Sequence, residues 1–110
     1  MQYYGLIGNL TAKEGKGNQL VELLLEASKV LENFEGCIQY IIAQESNNKD
    51  IIWVTEIWTS KKAHDASLQL PAIKSIIAEA MPFMEKTNGL GVETIPVGGV
   101  ASNPFETSNK

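Results

Sequence analysis

The stretch DIIWVTEIWTS, residues 50–60, most constrains what this chain can fold into, because it is apolar on both of its faces. Its β-branched and aromatic residues are typical of a strand, in which successive side chains point to opposite faces. A sheet with one face in water alternates cleanly between apolar and polar residues. Both faces of this strand must therefore be covered.

The spacing of apolar residues predicts an alternation of strands and helices along the rest of the chain. The predicted elements are a strand over 2–12, a helix over 18–34, strands over 37–46 and 50–60, a short helix over 60–68 and a strand over 90–100. Ser60 is the expected N-cap of the short helix. Pro71 fits the first turn of a further helix, which Pro82 is expected to end or kink.

This order, β-α-β-β-α-β, predicts an α+β fold of the ferredoxin-like type, an antiparallel sheet with its helices on one face. The helices cover only that face, so the simplest cover for the other is a second copy of the chain in a homodimer. A fully buried monomeric sheet or a ligand-lined face would also satisfy the pattern. Residues 1–100 are expected to form one domain, and residues 101–110 a flexible C-terminal tail.

Charge and composition exclude several classes of protein. A net charge of −4 and a pI of about 4.9 argue against a nucleic-acid surface, which needs clustered Lys and Arg. No stretch approaches the roughly 20 apolar residues of a membrane span, and the N-terminus lacks the features of a signal peptide. The single cysteine cannot form an internal disulfide. We therefore expect a cytoplasmic protein.

Few residues offer chemistry. One His and one Cys cannot make a His/Cys zinc site, and no glycine-rich dinucleotide loop is present. The candidates are Glu56, Trp58, His64, Ser67 and the polar Asn9 within the apolar first strand. Three of them have a structural reading as well: Glu56 as a hydrogen-bonded carboxylate, Trp58 as a core indole and His64 as a surface imidazole. A carboxylate on an apolar strand needs a paired donor, which a backbone amide or a Trp would supply.

The stretch VTEIWTSKKAHDASLQLPAIKSIIAEAMPFM, with the predicted element order, resembles the antibiotic biosynthesis monooxygenase family, which includes quinol monooxygenases. The resemblance covers about residues 2–97, and its most specific part is the pattern E-x-W-x-S-x-x-A-H-D. It implies a dimeric α/β barrel, in which two ferredoxin-like sheets pack face to face. It also implies oxidation of phenolic or polycyclic aromatic substrates by dioxygen, typically without metal, flavin or haem.

The resemblance carries over residue by residue. Asn9 matches an Asn that holds a substrate oxygen, and Trp58 matches a Trp that lines the pocket. His64 matches the first polar position of the AHDA turn, whereas Ser67 stands where many members have a histidine. The chain has no arginine, so a role that some members give to Arg either falls to Lys61 or Lys62 or is absent here.

The resemblance therefore implies a cofactor-independent monooxygenase that oxidises a small phenolic or quinol-type aromatic. Such an enzyme must remove a substrate proton and stabilise the anion that results. His64 is the candidate base, since histidine is the side chain whose ordinary pKa suits this work near neutrality. Asn9 and the Trp58 N–H are the candidate oxyanion donors, and Glu56 and Ser67 complete the predicted substrate-binding set. His64 could instead position the substrate or lie on the surface.

Two other functions fit the same sequence. The first is a haem-binding or haem-degrading protein with His64 as the axial ligand. The second is a non-catalytic, small-ligand-binding dimer of the same fold, which the absence of a histidine at Ser67 favours. Alternation along the third strand further predicts that Trp53 and Trp58 lie on opposite faces, one shielded by helices and the other lining a pocket between two sheets.

Overall fold

A computed structural model describes residues 2–85 and 91–100 of the chain. Its strands and helices are, in chain order, β1 (Tyr4–Thr11), α1 (Gly17–Leu31), β2 (Cys37–Glu45), β3 (Asn48–Trp58), α2 (Lys61–Ser67), α3 (Pro71–Ala80) and β4 (Val92–Thr94). The strands form a four-stranded antiparallel sheet in the order β2-β3-β1-β4. The predicted ferredoxin-like α+β fold is confirmed.

The short helices begin and end where their sequence predicts. The Ser60 side chain accepts a hydrogen bond from the Ala63 amide, 3.0 Å away, and so caps α2. Pro71 occupies the first turn of α3, where its missing N–H costs nothing. α3 ends at Ala80, and a single 3-10 turn that contains Pro82 follows it.

The long helix α1 is capped from elsewhere in the fold. Lys16, the residue before it, contributes no side-chain cap. Instead the Asp50 carboxylate on β3 accepts hydrogen bonds from the amides of Gly15 and Gly17, at 3.0 and 2.9 Å. A side chain at Gly17 would collide with the Lys49 carbonyl oxygen, so glycine is required where helix and strand meet this closely.

The fourth strand is shorter than predicted. Only Val92–Thr94 pairs with β1, and the chain beyond it leaves the sheet. Pro96 has no amide to donate, and Gly99 has a φ of 131°, which strand residues do not adopt. The apolar run at 90–100 therefore overstated the strand. Residue 90 and the predicted tail at 101–110 lie outside the described residues.

The two faces of the sheet differ in cover, and β3 shows the difference best. Ile52, Val54 and Trp58 are buried under the helices, with Trp58 only 1% exposed. Trp53 points to the other face and is 37% exposed. Ile41 on β2 lies on the same face and is 52% exposed. The predicted separation of the two tryptophans is confirmed. Of the helices in the described ranges, none is long and apolar enough to cross a membrane.

Candidate active site

A cavity of about 200 Å³ lies between the sheet and the helices. Most of its wall is aliphatic, supplied by α1, α3 and the sheet. Its polar lining comes from Tyr40, Glu56, His64 and Ser67. The cavity therefore lies within one chain, on the helix-covered face of the sheet. The sequence instead favoured a pocket between two sheets.

Glu56 is the carboxylate in the wall of this cavity. Its side chain is 13% exposed, and its Oε1 accepts a hydrogen bond of 3.0 Å from the Trp58 indole N–H. Burial raises the pKa of Glu56, and the Trp58 hydrogen bond and nearby His64 offset part of that rise. A carboxylate on an apolar strand needs a hydrogen-bond donor, and here the Trp58 indole supplies it.

His64 lies in the same wall and not on the surface, since its side chain is 13% exposed. Its Nε2 is 3.8 Å from Glu56 Oε1, and its Nδ1 is 3.0 Å from Asp65 Oδ1. The imidazole packs edge-on against the Trp58 ring at 5.5 Å and lies 5.3 Å from the Tyr4 ring. These contacts fix the orientation of the only histidine in the chain.

Ser67 is buried beside the cavity but its hydroxyl is already in use. It donates a 2.6 Å hydrogen bond to the His64 carbonyl oxygen, one turn earlier in α2. The hydroxyl thereby closes the last turn of this short helix. Ser67 therefore lines the cavity while its hydroxyl holds the backbone carbonyl of His64.

Asn9 is not brought beside Trp58. It pairs with Trp53 across β1 and β3, so alternation places its side chain on the face away from the helices. Its neighbours Gly8 and Leu10 belong to the helix-covered face. Asn9 contributes to the wall of a second cavity, of about 180 Å³. This cavity lies beside Gly8, which has no side chain to fill the space. The pairing register, which one sequence does not reveal, decides this placement.

Two tyrosines that sequence reasoning did not single out also belong to the site. Tyr40 pairs directly with Glu56 and lines both cavities, and burial raises its pKa. Tyr4 pairs with Trp58 and packs on His64; burial, with the Glu93 carboxylate beside it, raises the Tyr4 pKa to about 12. Both are aromatic residues on predicted strands, which was the available signal.

The edge of the site carries exposed charges. The Tyr4 hydroxyl donates a 2.9 Å hydrogen bond to Glu93 on β4. Lys61 Nζ lies 3.4 Å from Glu93, 3.7 Å from Asp65 and 5.3 Å from the centre of the Tyr4 ring. These side chains link α2 to the sheet edge, where water screens their charges.

An apolar mouth opens between α2 and α3. Leu68, Ile77 and Met81 line the cavity and are at the same time exposed to solvent. The wall thus runs from an apolar mouth to the Glu56–His64 pair inside. Across the described ranges, no three His, Cys, Asp or Glu side chains converge to hold a metal ion.

Comparison with known proteins agrees with this architecture. The antibiotic biosynthesis monooxygenase family matches residues 3–79. A crystal structure of a candidate antibiotic biosynthesis monooxygenase from Chloroflexus aurantiacus is 37% identical, with a TM-score of 0.81, over 90% of this chain and 97% of that one. A search of curated proteins found no significant match.

More distant structures share the fold alone. One from Nitrosomonas europaea is 15% identical with a TM-score of 0.80, over 86% of this chain and 90% of that one. Another, from Caulobacter crescentus, is 19% identical with a TM-score of 0.73, over 86% and 88%. With most of its length matched to the family and a 37% identical relative covering nearly all of it, this chain belongs to the antibiotic biosynthesis monooxygenase family.

Proposed function

We propose that this chain is a cofactor-independent monooxygenase that oxidises a small phenolic or quinol-type aromatic with dioxygen. The observation that carries the proposal is the placement of His64 in the wall of a mostly aliphatic cavity, with its Nε2 3.8 Å from the largely buried Glu56 carboxylate. A cavity of about 150 Å³ holds a benzene ring in another protein. The cavity here, about 200 Å³, suits one substituted ring or two fused rings.

The proposed chemistry begins with proton transfer. His64 Nε2 takes the proton of a phenolic hydroxyl, and the electron-rich ring carbon of the resulting anion bonds to dioxygen. The protonated imidazole returns that proton to the terminal peroxide oxygen. Loss of water from the H–C–O–O–H group then leaves a carbonyl. One oxygen atom of dioxygen enters the product, the other leaves as water, and the substrate supplies all four electrons.

The roles of the neighbouring residues follow from their contacts. The Trp58 N–H is engaged by Glu56, so we assign Trp58 to holding this carboxylate and walling the cavity instead of donating to an oxyanion. The imidazolium of His64 is the positive charge closest to the developing anion. Tyr40, opposite Glu56 in the sheet, is the available hydroxyl donor in the same wall.

The proposal includes a homodimer formed through the open face of the sheet. Ile7, Ile41 and Trp53 are large apolar residues exposed on that face, and helices do not cover them. Two copies packed face to face would bury these side chains, as the resemblance implies. Asn9 also lies on this face, so in the dimer it would contact a molecule or chain bound between the two sheets.

A haem does not fit the residues around His64. The cavity is sized for one or two rings, whereas haem is a far larger macrocycle. We therefore assign no step to haem. The non-catalytic ligand-binding dimer is the alternative that experiment must separate from the enzyme.

Dioxygen consumption tests the proposal. Purified protein is mixed with a panel of one- and two-ring phenols and hydroquinones in an oxygen electrode, and products formed under ¹⁸O₂ are analysed by mass spectrometry. We expect uptake above the spontaneous rate with at least one substrate, and one ¹⁸O atom in its product. Substrates that bind, by tryptophan fluorescence, without any enzymic uptake would overturn the oxygenase and support the binding dimer.

A further inference from the structure

Asp65 is an exposed carboxylate that contacts the partly buried imidazole of the site. Its side chain is 55% exposed, yet its Oδ1 lies 3.0 Å from His64 Nδ1. On the other side of the ring, the distance from Nε2 to Glu56 Oε1 is 3.8 Å, which is longer than a hydrogen bond. The two ring nitrogens therefore meet carboxylates in different ways.

A neutral imidazole carries one proton, on either of its two nitrogens, and the hydrogen bond made by one nitrogen decides which tautomer is present. In water, histidine favours the tautomer with the proton on Nε2. Asp65 is the partner of His64 at hydrogen-bonding distance, and a carboxylate can only accept. The proton therefore belongs on Nδ1, and Nε2 keeps its lone pair.

We propose that Asp65 is a positioning residue that holds His64 in the Nδ1–H tautomer, so that Nε2 presents a lone pair toward Glu56 and the cavity. The catalytic part of this inference rests on the proposed function, since it makes Nε2 the atom that accepts the substrate proton. Once Nε2 is protonated, the imidazolium lies between two carboxylates, which stabilise its charge.

The remaining charged and titratable groups around His64 leave this role to Asp65. Tyr4 on β1 meets the ring by packing, and its hydroxyl is bound to Glu93 of β4. Lys61, one turn earlier in α2, lies 3.7 Å from Asp65. The hydrogen bond from His64 and the positive charge of Lys61 lower the pKa of Asp65, which keeps it an ionised acceptor.

The single histidine of the chain makes the tautomer directly measurable. When the imidazole is neutral, ¹⁵N NMR of untagged, ligand-free protein distinguishes a protonated from an unprotonated ring nitrogen by chemical shift. We expect His64 to show a protonated Nδ1 and an unprotonated Nε2. A predominant Nε2–H signal in the wild-type protein would overturn the proposal, whether or not the protein turns out to be an oxygenase.

Two variants separate the effect of the Asp65–His64 contact from the effect of removing a nearby negative charge. Asp65→Ala removes the acceptor and is expected to shift His64 toward the Nε2–H tautomer. Glu93→Gln is the matched control, because Glu93 is 58% exposed and also pairs with Lys61 but does not contact the imidazole. In Glu93→Gln, the tautomer of His64 is expected to stay as in the wild type. An unchanged tautomer in Asp65→Ala, or an equal shift in both variants, would contradict the assignment.

Kinetics test the consequence once a substrate is known. The wrong tautomer disables proton transfer without removing a binding contact, so Asp65→Ala should lower kcat roughly 10-fold or more at nearly constant KM. The effect should be smaller than for a buried aspartate because water reaches Asp65. A kcat within about 2-fold of wild type, in a variant whose tautomer has shifted, would show that Nε2 is not the proton acceptor.

Discussion

Strand β3 carries two tryptophan–glutamate hydrogen bonds of almost equal length on its opposite faces. Under the helices, Trp58 donates to Glu56 at 3.0 Å; on the open face, Trp53 donates to Glu45 at 2.9 Å. Trp58 is 1% exposed and Trp53 is 37% exposed. The two pairs thus make the same contact in different surroundings.

The comparison shows that burial, more than the hydrogen bond itself, changes the chemical behaviour of the carboxylate in such a pair. Taken out of water, the Glu56 carboxylate resists ionisation and depends on its indole donor and on His64. Trp53 and Glu45 lie where water can replace either partner. The buried pair accordingly belongs to the candidate active site, and the open pair belongs to the surface that we assign to the dimer.

The largest expected contrast lies between the two tryptophans. Trp58→Ala should lower the free energy of unfolding by about 3–5 kcal/mol, because it leaves a large cavity in the core. Trp53→Ala should cost less, and its cost should depend on protein concentration if the open face forms a dimer. Urea unfolding at several concentrations measures both. Equal losses that do not vary with concentration would break the distinction between the faces.

His64→Ala should lower kcat about 100-fold or more in the dioxygen assay, the usual loss for a positioned general base. Lys74→Ala, an exposed change on α3, serves as the control for handling and stability. Asn9→Ala should cost less than His64→Ala, because Asn9 lies on the other face of the sheet. A larger loss at Asn9 than at His64 would move the reacting centre to the space between two sheets.

The open face should fail as an interface when it is charged. We expect the wild-type protein to be a dimer at micromolar concentration, with an interface of about 1,600 Å² in total. Ile41→Asp should weaken it by at least about 2 kcal/mol, or roughly 30-fold in Kd. Val97→Asp, outside the sheet, is the control. Light scattering that finds a monomeric wild type would refute the proposed dimer.

The smallest expected effect is the pH dependence of stability that comes from the largely buried Glu56 carboxylate. Because folding raises the pKa of Glu56, the folded state binds its proton more tightly than the unfolded state does. Relative to Glu56→Gln, the wild type should therefore be most stable below pH 4.5, the ordinary value, and lose that advantage as the pH rises through the raised pKa.

Unfolding curves of the two proteins between pH 4 and pH 8 test this, and a relative stability that rises with pH would contradict it. The matched change in the exposed pair, Glu45→Gln, should alter the free energy of unfolding by less than about 0.5 kcal/mol. A cost at Glu45 as large as that at Glu56 would show that burial does not distinguish the pairs.

Most of the fold could be predicted from the sequence, because the local signals agreed with the observed strands and helices. Ser60 and Pro71 marked helix starts, and the two-sided apolar pattern of β3 indicated covered faces. β4 was predicted too long because apolar composition alone does not reveal where an edge strand stops pairing. Pro96 was the signal that should have shortened it.

The site was predicted only in part, because residues distant in sequence meet through the pairing register. Register shifts interrupt the β2–β3 pairing near both of its ends, so the partnership of Tyr40 with Glu56 could not be counted from the turn. For the same reason, the sequence did not reveal that Asn9 and Trp58 lie on opposite faces of the sheet. By contrast, Glu56, Trp58 and His64 are close in sequence and were found together.

The capping of α1 by Asp50 has a consequence for how the chain folds. An isolated segment 17–31 has no side-chain cap of its own, and its acceptor arrives from a strand 33 residues later than Gly17. The start of α1 can therefore become fully stable only after β3 has docked. Folding should depend on this distant closure, with α1 fraying at its N-terminus in any intermediate that lacks the β2–β3 hairpin.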